Sequence, residues 1–549
     1  MGGLWWRATW VVNHLLHADA ARAIAEKWND VYRLEVGRVR LNGLRRRIAV
    51  DSVHLTTNEA INARRPLPRA TLRLAFHDCI IAGTHFFTLI TGRGLVAESF
   101  GCADVRAAAQ LPPPKASGRH EPDTAASPAA LRQAFFVLQQ GLRLPRFAPR
   151  VQLARIDFPH AELDLRLQWA RGEAAQLRLD HLEWHMTDFT VDPADSAATS
   201  RPLFSRRIDI SARDFVASGD SAAAVRVAGF HMSLPDSTVV VRGIAFAPTI
   251  SDSAFARARP YESSVLKVQV GSIAVRGLDV GALALGAGTR ARCVRADSLR
   301  VDLLTDRRRP PNPRRAVRRT PQRWIADLQR TVSVDSVLVQ GEVVYREQRA
   351  RHLKPGVLTF ARLEVVALNV RHFVGRRTAG DLMTLHASAQ LQDEGRLDAQ
   401  FVAPLDAPRF DMSVRGTLGP LPAARLNPFI QETFPLRLSK GRILGIAFGA
   451  TVVNGVAVGT ITPRYHDLAV EVTGRGAKGI LGTGGAIGNA ARGIATLVGN
   501  ATEIQPDNPG KGETVSRTGT INHTFTPNET LPAFLWASIR DGLFSVMRK

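Results

Sequence analysis

Polar and apolar residues alternate along most of this chain with a period of two. That period selects the β-strand, because only there do residues two apart share a face. Val36-Gly37-Arg38-Val39-Arg40-Leu41 alternates in part, as do Ile48-Ala49-Val50 and Val53-His54-Leu55. The rhythm returns in Leu72-Arg73-Leu74-Ala75-Phe76, Leu163-Asp164-Leu165-Arg166-Leu167, Ile208-Asp209-Ile210 and Val265-Leu266-Lys267-Val268-Gln269-Val270. Turn pairs such as Asn42-Gly43 and Arg276-Gly277 punctuate these runs. The pattern predicts a mainly β protein.

One phrase recurs. Val50-Asp51-Ser52-Val53-His54-Leu55 returns as Ala296-Asp297-Ser298-Leu299-Arg300-Val301 and as Val334-Asp335-Ser336-Val337-Leu338-Val339, with a looser copy at Pro235-Asp236-Ser237-Thr238-Val239-Val240. An Asp-Ser pair can bond its own backbone, re-aim the strand and restart the alternation in a new phase, as a bulge does. Upstream, Val36 to Leu44 aligns without gaps to Val270 to Leu278. Chance recurrence among similar strands is the competing explanation. Repeated units predict an elongated stack in which each contacts only its neighbours. One long curled antiparallel sheet would then replace the three or four globules that 549 residues suggest.

The expected organisation runs from a short amphipathic helix or residual membrane anchor over residues 1–31 to a first β-groove region over 32–306. An exposed proline-rich loop near 112–128 interrupts that region, followed by a helix over 129–142. An Arg/Pro-rich linker with a short helix at Trp324 spans 307–330, a second β-groove region 331–473, and a glycine-rich segment with the tail 474–549. No uninterrupted apolar run of about 18 residues is present, so no ordinary spanning helix is predicted. The opening Leu4-Trp5-Trp6-Arg7-Ala8-Thr9-Trp10 suits a membrane interface, although capping the fold would use it equally.

Charge narrows the partners. Lys plus Arg total 72 and Asp plus Glu 49, so the formal net charge is 72 − 49 = +23. Such a surface attracts polyanions, either anionic lipid or nucleic acid. The excess is almost all Arg, which a GC-rich coding sequence produces without selection for binding. Its densest run supplies the candidate anionic-lipid contacts Arg307, Arg308, Arg309, Arg314, Arg315, Arg318 and Arg319; a solvated proline-rich loop is the alternative. Nucleic acid is disfavoured, because stacking aromatics do not interleave with these cations. Cys79, Cys102 and Cys293 allow at most one bridge and do not fix the redox compartment.

Catalytic patterns are missing. Ser264-Val265-Leu266-Lys267 begins an alternating strand without its companion motifs, and Glu183-Trp184-His185 and His160-Ala161-Glu162 read as solvated strand faces. The run from Gly474 to Gly485 lacks the terminal Lys-Ser/Thr of a phosphate cradle, and the Ala486–Val498 stretch after it reads as a surface-seeking or sheet-packed helix. No enzyme, cofactor or metal is expected. An alternating strand nevertheless needs its apolar face covered. If the sheet curls into an open trough, that face would shield acyl chains, at about 0.8 kcal/mol per CH₂. The inward candidates are Val39, Leu41, Val53, Leu55, Leu299, Val301, Val337 and Val339, with Arg40, His54 and Arg300 pointing outward.

Tyr32-Arg33-Leu34-Glu35-Val36-Gly37-Arg38-Val39-Arg40-Leu41 followed by Ile48 to Leu55 resembles the start of AsmA-like proteins of the Gram-negative envelope. Gly459-Thr460-Ile461-Thr462-Pro463-Arg464-Tyr465-His466-Asp467-Leu468 and the ending Phe534 to Leu543 are similar to the carboxyl-terminal signature of their uncharacterised relatives. The resemblance implies an open β-groove in a periplasmic, inner-membrane-associated protein that guides phospholipid in outer-membrane biogenesis, with other envelope proteins as further partners. The family's full amino-terminal anchor is reduced here to the Trp-rich segment. A non-transporting envelope scaffold with a closed β core is the competing expectation.

Overall fold

The computed structural model describes residues 31–547, apart from 65–70, 112–148, 169–173, 193, 196–200, 220–222, 235, 281–287, 311–319, 321, 324–330, 350–353, 374–381, 406, 408, 435, 473–504 and 527–528. Among the described residues twenty-one strands form an open, predominantly antiparallel sheet with a few short helices, the mainly β class that the alternation predicts. The amino-terminal segment to residue 30, the proline-rich loop with its helix, the helix at Trp324 and the glycine-rich segment with its helix lie outside the described residues. Contacts divide the chain into two compact units, residues 1–245 with 274–290 and residues 246–273 with 291–549.

The first unit is built on β1 (Tyr32–Val36), β2 (Val39–Asn42), β3 (Arg47–Thr57), α1 (Glu59–Ala63), β4 (Thr71–Ala82), α2 (Phe86–Ile90), β5 (Leu95–Leu111), β6 (Val151–Gln168), β7 (Ala174–Val191), β8 (Arg207–Gly219), β9 (Ala223–Ser233) and most of β10 (Thr238–Pro248). β1 and β2 both pair with β3, and successive strands then run antiparallel except for β5 and β6, which are parallel. A parallel pair needs a long crossover, and residues 112–148 supply the chain for it.

The register places Cys79 of β4 directly opposite Cys102 of β5, and the two form a disulfide with each cysteine only 2% exposed. Linear spacing does not pair these cysteines; strand register does. Closing a loop with a sequence separation of 23 restricts the unfolded chain, so Cys79→Ser with Cys102→Ser should lower stability by about 3 kcal/mol in urea unfolding.

The Asp-Ser phrases mark phase changes in the strands. Val50 faces Cys79 and Val53 faces Phe76, and all four belong to one hydrophobic cluster although Val50 and Val53 are three apart. The left-handed residue that permits this is Asp78, opposite Asp51, at φ 50°. In the later copies it is Ser298 at φ 56°, and Asn369 at φ 57° on the strand facing Asp335. Asp and Asn adopt this conformation more readily than bulkier residues. The kink is therefore a property of strand pairs, and the motif names only one member of each.

The second unit contains α3 (Asp252–Arg257), most of β11 (Ser263–Arg276) and β12 (Thr289–Asp306), then β13 (Val332–Gln348), β14 (Gly356–His372), β15 (Leu382–Leu391), β16 (Gly395–Pro404), β17 (Met412–Leu418), β18 (Leu421–Pro422), α4 (Asn427–Thr433), β19 (Leu436–Val453), β20 (Val456–Val472), β21 (Gly519–Thr524) and α5 (Leu531–Met547). From β13 to β17 it is an antiparallel meander, which continues through β19, β20 and β21. α5 packs on β20 and β21, where the backbones nearly touch. A Cβ on Gly519 would meet the Gly542 carbonyl, and one on Gly542 would meet Ile461 Cγ2, so both positions need glycine.

Candidate functional site

Opposed residues in a β-ladder point to the same face, so following partners from strand to strand traces one side of the sheet. In the second unit one such row reads Val337, Ala367, Leu385, Phe401, Val414, Ala450, Gly459, Ile521 across β13 to β21. The next row on that face reads Val339, Val365, Ala387, Ala399, Gly416, Phe448, Ile461, Gly519. Neither contains a charge or a hydrogen-bonding side chain. Between them, on the other face, runs Leu338, Val366, His386, Gln400, Arg415, Gly449, Thr460, Thr520.

Burial along the apolar face is uneven, and the unevenness is informative. Val337, Val339, Val365, Leu385, Ala387, Ala399 and Phe401 are half-buried, so neighbouring strands shield them while their upper surfaces reach solvent. Towards β21 the face closes: Val452 and Ile521 are each 1% exposed and Ile461 and Phe534 0%. α5 causes the closure. Its Phe534 sits with Phe410 and Phe525 at ring separations of 5.4 and 5.6 Å, and Leu531, Leu535, Ile539 and Leu543 pack on the same cluster. The face is thus a half-buried apolar strip over β13 to β16 that runs into the closed cluster under α5.

The first unit repeats the design with other residues. Val36, Val53, Phe76, Val105, Ala161, Leu182, Ala212 and Phe230 form one row from β1 to β9. Its opposite face is charged and ion-paired, with Arg40 on Asp51 at 2.6 Å, Arg178 on Asp180 at 2.7 Å and Arg213 on Glu183 at 2.8 Å. These are exposed pairs, each contributing at most about 1 kcal/mol. They keep that face wet more than they stabilise it.

Of the candidates named from sequence, Val39, Leu41 and Val53 join the cluster around Cys79 and Cys102, with Val39 itself buried at 7%. Leu55 pairs with Leu34 and Leu74 and is half-buried. Leu299 and Val301 are half-buried on either side of exposed Arg300, which reaches Glu342 at 2.9 Å. Val337 and Val339 head the two rows of the second unit. Phe401, Leu385, Val365, Phe448 and Phe76 lie on the same apolar rows without any mark in the sequence that sets them apart. Their alternation was visible, but only the register shows that they continue the same face.

The arginine run splits. Arg307 lies 3.4 Å from Glu347, and Arg308 bonds Asp306 at 2.6 Å, so both charges are already matched within the protein. Arg309 is exposed, and Arg314, Arg315, Arg318 and Arg319 lie outside the described residues. Glu347 is 4% exposed beneath α4, flanked by Arg307 and by Arg349 at 2.6 Å, and accepts from Tyr345 Oη at 2.6 Å. Burial alone would raise the Glu347 carboxyl, but Arg349 and Arg307 outweigh it and hold it below the usual range. Burial, with the neighbouring Glu347 charge, pushes the Tyr345 phenol up to about 12. A depressed folded-state pKa contributes stability that is complete above the ordinary glutamate value of about 4.3 and is lost as pH falls below it. Glu347→Gln should therefore flatten part of the acid limb of a stability–pH curve for this chain.

The dismissed chemical motifs fold as strand-face pairs. His185 contacts Asp157 across β6 and β7, Glu183 pairs with Arg213, and Lys267 with Asp252 at 2.7 Å, away from Ser264, which meets Thr305. Among the described residues no group of three His, Cys, Asp or Glu side chains could hold a metal ion, and no helix is long and apolar enough to cross a membrane.

No protein-family model and no curated protein matches this chain. Its function is read from its own residues.

Proposed function

We propose that this protein shields phospholipid acyl chains along the apolar face of its sheet, without catalysis, as an AsmA-like component of outer-membrane biogenesis. The observation that carries the reading is the charge-free strip in the second unit, continuous from Val337 to Phe401 and from Val339 to Ala399, half-buried except at the buried Ala367, and backed on β15 and β16 by His386 and Gln400. Apolar side chains left open in a row gain about 0.8 kcal/mol for each methylene laid on them. An acyl chain matches such a strip in chemistry, and its headgroup stays in water. The buried Cys79–Cys102 disulfide supports an oxidising compartment such as the periplasm. The net charge of +23 favours association with the anionic inner-membrane surface.

One observation favours the competing reading, an envelope scaffold that moves no lipid. α5 fills the face from β17 to β21 with the protein's own hydrocarbon. If the whole strip were filled in that way, no ligand would be needed. Solvent extraction of the purified chain followed by mass spectrometry separates the two. Phospholipid above the level carried by a control protein is expected, and its absence would favour the scaffold.

A further inference from the structure

The first unit presents hydrocarbon to water at adjoining turns. Leu44, in the β2–β3 turn, is 101% exposed, and Phe87 and Ile90 of α2 are 71% and 40% exposed. Phe86 and Leu89 of the same helix turn inward onto the core, so its outward side is a separate apolar surface. The two turns are bonded together: Arg46 Nη2 donates to the Gly83 carbonyl at 2.9 Å, and the Thr84 amide donates to the Arg46 carbonyl at 2.9 Å. Leu44 and α2 are therefore held at one place by backbone contacts.

The cations around them are arginines, with His85, Thr88 and Thr91 on the helix and one exposed carboxylate, Glu98, beside Arg46. Arg45 and Arg93 are exposed and make no ion pair with any described residue. Arg46 reaches Glu98 at 3.7 Å, and Arg150, whose carbonyl accepts from the Leu95 amide, reaches Asp192 at 3.4 Å. A single exposed leucine is ordinary. Large apolar residues at the tips of two joined turns, beside Arg45 and Arg93, which pair with no described acid, fit a bilayer: hydrocarbon enters the acyl boundary while guanidinium groups meet phosphates. A protein partner would instead favour a flatter apolar centre with a polar rim.

We propose that the β2–β3 turn and α2 form a docking tip for anionic phospholipid bilayers, with Leu44 and Phe87 entering the interface and Arg45 and Arg93 contacting headgroup phosphates. The proposal is independent of whether the sheet carries lipid, since it uses no residue of the apolar strip.

The test uses the full chain carrying Cys293→Ser, so that its one free cysteine is removed. An environment-sensitive dye is attached through Leu44→Cys in one protein and through Val515→Cys, at another exposed apolar position, in a second. Vesicles of phosphatidylcholine containing phosphatidylglycerol should shift the dye at 44 to the blue and leave the dye at 515 unmoved. Vesicles of phosphatidylcholine alone should give a much smaller shift at 44. Arg45→Glu with Arg93→Glu should raise the vesicle concentration for half-maximal shift at least about 10-fold. Labelling through Phe87→Cys repeats the measurement from the second turn, should the first labelled protein misfold. No shift at 44 or 87, an equal shift at 515, equal shifts with both vesicles, or an unmoved midpoint after charge reversal would each overturn the proposal.

Discussion

Val339→Asp together with Leu385→Asp should reduce co-purifying phospholipid to the background of a control protein while the chain stays folded. Both side chains are half-buried on the charge-free face, so their aspartates can keep water in the empty protein. An acyl chain laid over them would have to dehydrate two carboxylates, which costs several kcal/mol each even after relaxation. The lost hydrocarbon contact adds to that, so occupancy should fall more than about 100-fold. Paired substitutions on the other face, His386→Asp with Thr384→Asp, should change lipid content little. If Val339→Asp and Leu385→Asp instead unfold the protein, the strip is a packed core and the scaffold reading gains. Circular dichroism on the same samples as the lipid assay separates these outcomes.

Phe534→Ala should destabilise the second unit by about 3–5 kcal/mol in urea unfolding. Phe534 is fully buried, and its ring meets Phe410, Phe525 and His523, so truncation leaves a cavity bounded by two strands and a helix that cannot collapse freely. The close approach at Gly519 and Gly542 fixes the helix axis, which limits relaxation further. Trp536, on the same helix but 48% exposed, provides the contrast: Trp536→Ala should cost far less. Comparable losses for the two substitutions would mean that α5 is not held by the cluster assigned to it.

The strand character of this chain was legible because one apolar face per strand forces a period of two: the Val53–Leu55 and Val337–Val339 alternations fold within strands, whereas Val36–Leu41 is split between β1 and β2 at Gly37-Arg38. The Asp-Ser phrase pointed to the right places, but the left-handed residue is Ser298 in one copy and the facing Asp78 or Asn369 in others, because a kink must be matched across the ladder. Pairing was beyond the sequence. Nothing in the spacing of Cys79 and Cys102 or of Leu385 and Phe401 reveals that they face each other, since strand partners are chosen by three-dimensional register. The Arg307–Arg309 run read as free charge for the same reason: Glu347 lies 40 residues away in the chain yet beside Arg307 in the fold. α5 was visible only as a family-like ending, and its role as the stop of an apolar strip follows from where β20 and β21 put it.

Single-residue alternation also supplies the most direct test of the central claim. A photo-crosslinking amino acid at Leu385 and, in a second protein, at its neighbour His386 differs by one position and by which face of the sheet it occupies. After irradiation in cells, phospholipid adducts at 385 and none at 386 are the predicted result. Adducts at neither position, or equally at both, would contradict a lipid-shielding face.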